Sequence, residues 1–155
     1  MQPSMRRFWA FLGLLVLLHL ILHVGLGLGR SAPDLLVAAA LLASRRTDGA
    51  SAAAIGVGLG LLDDALGMRG FGVRAFSIGF AAYLGARSKQ VVEGDAVVFL
   101  PLVLFVGAWV AYTVAWVVAG GVDPTTLVTR APVDAAYAAA TGTIAFLVYR
   151  IVVRE

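Results

Sequence analysis

Residues 8–29 read FWAFLGLLVLLHLILHVGLGLG, a run of 22 residues that contains no Asp, Glu, Lys or Arg. A helix needs about 20 apolar residues to cross the hydrocarbon core of a bilayer. The apolar core of a signal peptide is shorter, about 7–15 residues, so we interpret this run as an uncleaved first transmembrane helix. Arg6 and Arg7, directly before it, fit a basic flank on the cytoplasmic side.

The whole chain has the composition of a membrane protein. Of its 155 residues, 61% are hydrophobic and 14% are charged, whereas a soluble domain has about 45–50% apolar and about 25% charged residues. Because the apolar residues come in long runs, the excess cannot be buried in one small soluble core. The chain lacks cysteine, which excludes disulfides, thiolate metal ligands and cysteine nucleophiles.

Five further apolar segments follow the first, and short polar turns separate them. We predict a single transmembrane domain, residues 1–155, that is all-α and forms a bundle of about six transmembrane helices. The predicted helices cover residues 8–29, 33–44, 49–64, 71–86, 96–120 and 131–152. The second is the shortest, and it can cross only if its flanking arginines reach back to the interface or the bilayer thins. Pro33 suits the first turn of that helix, and Asp34 suits the positive end of its dipole.

The basic residues predict how the chain is oriented in the membrane. With the N-terminus in the cytoplasm, eight basic residues lie inside and four lie outside. Those inside are Arg6, Arg7, Arg45, Arg46, Arg87, Lys89, Arg150 and Arg154, and those outside are Arg30, Arg69, Arg74 and Arg130. Because cytoplasmic loops carry the excess of Lys and Arg, we expect both termini of this multi-pass protein to lie in the cytoplasm.

The stretch GLLDDALGMRGFG, residues 60–72, holds most of the candidate functional residues. Asp63 and Asp64 stand at the end of the third predicted helix, and acidic residues inside membrane helices are costly and often functional. Gly67, Gly70 and Gly72 permit a tight turn into the fourth helix, and Gly60 precedes the acids in the third helix. Two interpretations stay open: a docking or ion site, or an acid pair that stops the helix and forms salt bridges with Arg69 and Arg74.

Two patterns on other helices could also support recognition. Trp109, Tyr112 and Trp116 share one face of the fifth helix, where they either pack against a helix or lipid or line a ligand pocket. His19 and His23, four residues apart, could bind a metal or a proton, or could form hydrogen bonds inside the bundle. Their helix contains no acidic residue and no H-E-x-x-H motif, so we expect no metal and no cofactor.

Glycine pairs mark where helices come close together. Gly25 and Gly29 lie four residues apart in the first helix, and Gly56 and Gly60 do so in the third. Such pairs let helix backbones approach closely in lipid, and we expect the first and third helices to pack there.

Motifs of catalysis and of nucleotide binding are absent from the sequence. The glycines do not form G-x-G-x-x-G between a strand and a helix, and no P-loop lysine is present. Basic patches suited to nucleic acid and a recognisable Ser, His and Asp arrangement are missing as well. We therefore expect a protein that is not an enzyme and does not bind nucleic acid.

Four features between residues 33 and 86 occur together. They are Pro33–Asp34–Leu35–Leu36 opening a short helix; the Arg45–Arg46 turn; a glycine-rich helix leading into Gly60–Leu61–Leu62–Asp63, Leu66–Gly67 and Gly70–Phe71–Gly72; and Tyr83–Leu84–Gly85 near the end of the fourth helix. This arrangement, about a third of the chain, resembles MreD, the small membrane subunit of the bacterial rod-shape machinery or elongasome. Asp64, where an apolar residue is expected, and the basic residues Arg69 and Arg74 depart from the pattern.

The resemblance implies a non-enzymatic protein that binds the membrane-anchored scaffold protein MreC. Through MreC it would support RodA and its class B penicillin-binding protein in peptidoglycan synthesis, with the actin-like MreB as an indirect partner on the cytoplasmic side. MreD-like proteins are also thought to share the helical fold of the substrate-binding subunits of vitamin transporters. A second hypothesis therefore stays open, a subunit that captures a small, vitamin-type molecule for transport.

Overall fold

The computed structural model describes residues 3–25, 33–67, 71–89, 99–121 and 124–153, and within these ranges the chain is helical, without strands. The helices are α1 (Pro3–Leu20), α2 (Leu35–Ser44), α3 (Gly49–Gly67), α4 (Val73–Ser88), α5 (Leu100–Val118) and α6 (Ala131–Val153). Wider π-helical turns follow α1 at Ile21–Gly25 and precede α6 at Thr126–Arg130. The prediction of an all-helical chain is thus confirmed.

Not all of the described helices are long enough to cross a bilayer. Four have the necessary length and apolar composition, namely Met5–His23, Gly49–Gly67, Leu100–Val118 and Leu127–Val152. α2 has ten residues, about 15 Å at 1.5 Å per residue, which is half of the roughly 30 Å hydrocarbon core. α4 has 16 residues and carries Arg74 and Arg87. The expectation of about six crossings is therefore met by length and composition for four helices.

The shortest helix, α2, lies in the centre of the bundle. All ten of its residues are buried, and it contacts each of the other five helices. Because the other helices enclose α2 on all sides, it does not have to span the full hydrocarbon thickness to cover its apolar residues. Residues 33–44 can form a short helix because neighbouring helices, and not lipid, cover it.

Small side chains fill the bundle, and large apolar side chains cover its outside. The buried residues include Ala38, Ala39, Ala40, Ala82, Ala108, Ala111, Ala135 and Ala138, whereas Leu14, Leu17, Phe76, Phe80, Leu102, Val106, Ile144 and Val148 are exposed. Exposure of so many large apolar groups to water would be unfavourable by about 25 cal/mol per Å², whereas a lipid environment would accommodate them. Membrane helices associate through close packing of small residues, and this distribution is consistent with a membrane protein.

Among the described helices, α3 and α4 pack on each other most extensively, and glycines of α3 lie at the contact. A Cβ atom added to Gly56 would lie 2.7 Å from the carbonyl oxygen of Ile78, and one added to Gly60 would lie 2.4 Å from Cα of Ala75. The prediction that this glycine pair packs on the first helix is therefore wrong, because its partner is α4. Gly29, of the corresponding pair in the first helix, lies outside the described residues.

Contacts between helix ends show that successive helices alternate in direction. The Arg46 guanidinium, after α2, lies 4.3 Å from the ring centroid of Phe8 near the start of α1. The ring of Tyr149, near the end of α6, lies 6.1 Å from the same phenyl ring. Lys89, after α4, donates to the carbonyl oxygen of Thr47 at 2.5 Å. The start of α1 and the ends of α2, α4 and α6 therefore meet at one end of the bundle.

Candidate functional site

A group of polar side chains, here termed the polar cluster, lies at the opposite end of the bundle. Hydrogen bonds or ion pairs connect most of these side chains to each other, and Asp64 binds backbone N–H groups at the start of α4. The members of the polar cluster are His19, Asp34, Asp63, Asp64, Arg74 and Tyr112. They come from near the end of α1, the start of α2, the end of α3, the start of α4 and the last third of α5. The alternating helix directions bring all of these positions to the same level.

Arg74 is the centre of the polar cluster. Its Nη2 donates to Oδ2 of Asp34, and its Nε donates to Oδ2 of Asp63 at 2.5 Å. One guanidinium thereby joins the start of α2 to the end of α3, with only 10% of the arginine side chain exposed. Of the two arginines proposed as partners of the acid pair, Arg74 thus forms a salt bridge through Asp63. The other, Arg69, lies outside the described residues, as does Gly70.

Asp64 caps the next helix. Its carboxylate accepts hydrogen bonds from the backbone N–H groups of Gly72 at 2.9 Å, Arg74 at 3.1 Å and Ala75 at 3.1 Å. The first N–H groups of a helix have no partner within the helix, and a negative charge is favourable at that end. Gly72, directly before α4, has no side chain with which to cap it. A residue of the preceding helix therefore supplies the missing acceptors.

The acid pair does not stop the third helix. We predicted a helix of residues 49–64 that ends at Asp63 and Asp64, but α3 continues through both to Gly67. Carboxylates near a helix C-terminus are disfavoured by the dipole, and here Arg74 and the N–H groups of α4 compensate them. Gly72, with φ of 96°, forms the left-handed residue at which the chain turns into α4, a conformation that favours glycine.

Asp34 caps α2 and also binds α5. Its Oδ1 accepts from the backbone N–H of Val37 at 3.2 Å, as expected for an N-cap carboxylate, and its Oδ2 accepts from the Tyr112 hydroxyl at 3.2 Å. The proline expected in the first turn of this helix, Pro33, instead precedes the cap, and the helix begins at Leu35. The carboxylate is consequently held by three different helices.

The aromatic side chains of α5 do not face one site. Tyr112 points into the polar cluster, whereas Trp109 is 43% exposed on the outside of the bundle. Trp116 is half-buried and lies against the end of its own helix, where a Cβ atom on Gly121 would be 2.4 Å from the indole ring. Of the three residues, Tyr112 alone joins the polar cluster.

His19 is buried beside the acids without a hydrogen bond of its own. Its side chain is 1% exposed, and its Nε2 lies 3.9 Å from Oδ1 of Asp63, beyond hydrogen-bond distance. Within the described part of the chain neither of its ring nitrogens has a partner. His23 stacks on it with ring centroids 3.9 Å apart, and Nδ1 of His23 lies 3.3 Å from the His19 carbonyl oxygen. The predicted hydrogen bond inside the bundle is therefore found for His23 and not for His19.

The sequence does not link His19 to the acid turn, whereas it relates Tyr112 to the acids only as a residue that could converge on a ligand cavity. Both lie in long apolar helices, where a polar side chain is a functional candidate, but the sequence does not show which other helices they meet. The described residues contain no group of three or more His, Cys, Asp and Glu placed to hold a metal ion.

No family model, no curated protein and no solved structure matches this chain.

Proposed function

We propose that this chain is a non-enzymatic membrane scaffold of the MreD kind, which binds MreC in the cytoplasmic membrane. Through MreC it would support RodA and its class B penicillin-binding protein, with MreB as an indirect partner and both termini in the cytoplasm. The proposal rests on the resemblance over residues 33–86 and on one structural observation. Residues of the resemblance lie together in space, and Arg74 and Asp64, which depart from the family pattern, join them.

The observation concerns residues that are far apart in sequence. Asp34 and Asp63 share the guanidinium of Arg74. Gly60 lies against the first turn of α4, and the backbone N–H of Gly72 donates to the carboxylate of Asp64. Residues of the resemblance that contact the same cation and the same helix turn are expected where they maintain a helix arrangement. This supports a role in which the bundle presents a fixed surface to a partner.

The chemistry of the polar cluster also favours a structural role over catalysis. A general acid or base needs a group within hydrogen-bond reach of its substrate. Here the carboxylate of Asp64 accepts three backbone N–H groups, and that of Asp34 accepts a backbone N–H, a hydroxyl and a guanidinium. Asp63 is the most accessible of the three acids, with 20% of its side chain exposed, and we propose it as the acid nearest to a bound partner.

The test is co-purification of the tagged full-length chain with MreC from detergent extracts. We expect MreC to be recovered with the wild-type protein. Asp63→Ala should reduce that recovery more than His19→Ala, because Asp63 reaches the surface and His19 does not. Size-exclusion profiles and helix content of both variants check that they are folded. Failure to recover MreC with the wild-type chain would refute the proposal, and recovery of a vitamin transporter's ATPase module would favour capture of a small molecule.

A further inference from the structure

The end of the bundle opposite the polar cluster is strongly basic, and it is termed the basic end. Its described cations are Arg6, Arg7, Arg45, Arg46, Arg87, Lys89 and Arg150. The described acidic residue at this end is Asp48, whose carboxylate accepts from the N–H of Ser51 at 2.9 Å and from its hydroxyl at 2.8 Å. The ion pairs of the described residues all belong to the polar cluster. The basic end therefore carries a large positive charge that described carboxylates do not neutralise.

Four of these cations surround the turn between α2 and α3. Arg45 directly follows α2, and Arg46 lies over the phenyl ring at the start of α1. Lys89 reaches the carbonyl of Thr47 from the end of α4. Arg87 comes from the last turn of α4, and its Nε would lie 3.8 Å from a Cβ atom on the first residue of α3. Three of these side chains, those of Arg46, Arg87 and Lys89, are thus held at the level of the helix ends.

Arg45 provides a second, independent observation. Its Nη1 atom is buried, yet it has no hydrogen-bond partner among the described residues. A buried donor that stays unpaired is unfavourable, and more so when the group is charged. The planar guanidinium matches phosphate oxygens through paired N–H donors. An anionic oxygen ligand would therefore complete this site.

The surface beside these cations indicates what kind of anion binds. Phe76, Phe80 and Leu84 are exposed on α4 at intervals of four residues, and Arg87 follows three residues later. Positions with these spacings lie on one face of a helix. An apolar stripe that ends in a cation matches a molecule with an apolar chain and a phosphate group. A soluble acidic protein or a nucleic acid would satisfy the cation but would not cover the apolar stripe.

We propose that the basic end binds an acidic phospholipid, with its phosphate at Arg45, Arg87 and Lys89 and an acyl chain along the outer face of α4. Basic pockets between membrane helices are suited to acidic headgroups. This surface lies at the end of the bundle opposite the polar cluster, and its test does not involve MreC. A failure of lipid binding would therefore not refute the proposed scaffold role, which has its own test.

Lipid selectivity of the purified full-length chain tests the proposal. Delipidated protein in neutral detergent receives phosphatidylglycerol or phosphatidylcholine with the same acyl chains, and native mass spectrometry measures the bound lipid. We expect phosphatidylglycerol to be retained more strongly and to raise the melting temperature. Removal of three cations in the triple variant R45Q/R87Q/K89Q should weaken its binding on the order of 100-fold, since each basic residue near an acidic headgroup contributes about fivefold.

A matched control removes a cation from the other end of the bundle. Arg130 is exposed directly before α6, and Arg130→Gln should leave the lipid preference unchanged. Equal binding of the two lipids by the wild-type chain would overturn the proposal, and this comparison stays valid if the triple variant does not fold. Equal losses in the triple variant and in the control would also overturn it. So would displacement of the lipid by millimolar inorganic phosphate or by RNA, because the site would then recognise a soluble anion.

Discussion

Gly60→Ala is the substitution whose effect follows most directly from the geometry. The added methyl group would lie 2.4 Å from both Cα of Ala75 and the carbonyl oxygen of Arg74, and 2.5 Å from the Ala75 nitrogen. All three are backbone atoms, which cannot rotate out of the way. Carbon atoms in favourable contact are about 3.5–4.0 Å apart, so α3 and α4 would have to separate by about 1 Å.

Such a separation would act on the Asp64 cap as well as on the helix packing. Its hydrogen bonds to α4 measure 2.9, 3.1 and 3.1 Å, and a displacement of about 1 Å would take them beyond the usual limit of about 3.2 Å. Overpacking of a well-packed contact costs about 1–3 kcal/mol, and a lost hydrogen bond to a charged group costs about 1.5–3 kcal/mol. The higher helix propensity of alanine returns about 1 kcal/mol. With one such hydrogen bond counted, the free energy of unfolding should fall by about 1.5–5 kcal/mol in total.

The assay is unfolding by SDS in mixed micelles, followed by circular dichroism and tryptophan fluorescence. Gly58→Ala is the matched control, because it lies in the same helix and a Cβ atom there would have no atom within 4 Å. We expect this control to match or slightly exceed wild-type stability. If Gly60→Ala proved as stable as Gly58→Ala, the close contact between α3 and α4 would not exist as described.

Three further predictions concern the charged residues. Arg74→Gln should lower the free energy of unfolding by about 3–5 kcal/mol, because two carboxylates lose their shared buried cation; a wild-type SDS midpoint would contradict this. Asp64→Ala should destabilise by about 2–4 kcal/mol through loss of the α4 cap, and hydrogen exchange should rise first at Gly72 and Ala75; uniform exchange along α4 would argue against capping. Hydrogen bonds from Ser51 hold the pKa of Asp48 below its ordinary value. The stabilisation that these hydrogen bonds give to the folded protein is thus present above about pH 4, and it is lost as the pH falls through the lowered pKa. The SDS midpoints of Asp48→Asn and of the wild type should therefore differ at pH 7 and coincide below that pKa.

The positions of the helices could be predicted because apolar length is a local property. The predicted start of the second helix near Pro33 and Asp34 differs from that of α2 by two residues, and the third predicted helix begins at the observed residue. The end of α3 was predicted too early, since a pair of adjacent acids looks like the end of an apolar run. Whether such a pair ends a helix depends on its compensation by other groups, which here lie eight to eleven residues further along the chain.

The members of the candidate site were partly recognised, but their roles were not. Asp34, Asp63 and Asp64 are conspicuous as charges beside apolar segments. That the first two share a cation could not be predicted, because Asp34 and Arg74 are 40 residues apart. Periodicity placed Tyr112 on a face with two tryptophans, yet the neighbouring helices leave Trp109 outside and enclose the tyrosine.

Composition and the length of its apolar runs suffice to establish that this chain forms apolar helices joined by short polar turns, because both are read along the chain without reference to neighbours. The arrangement of those helices depends on which surfaces fit together. α2 becomes the buried centre although its sequence predicts a marginal membrane span, and Gly56 and Gly60 accept α4 and not α1, because close approach needs complementary small residues on both helices. The first helix remains a clear membrane span, and among its described residues the fold buries one polar side chain, His19, 3.9 Å from Asp63 of another helix.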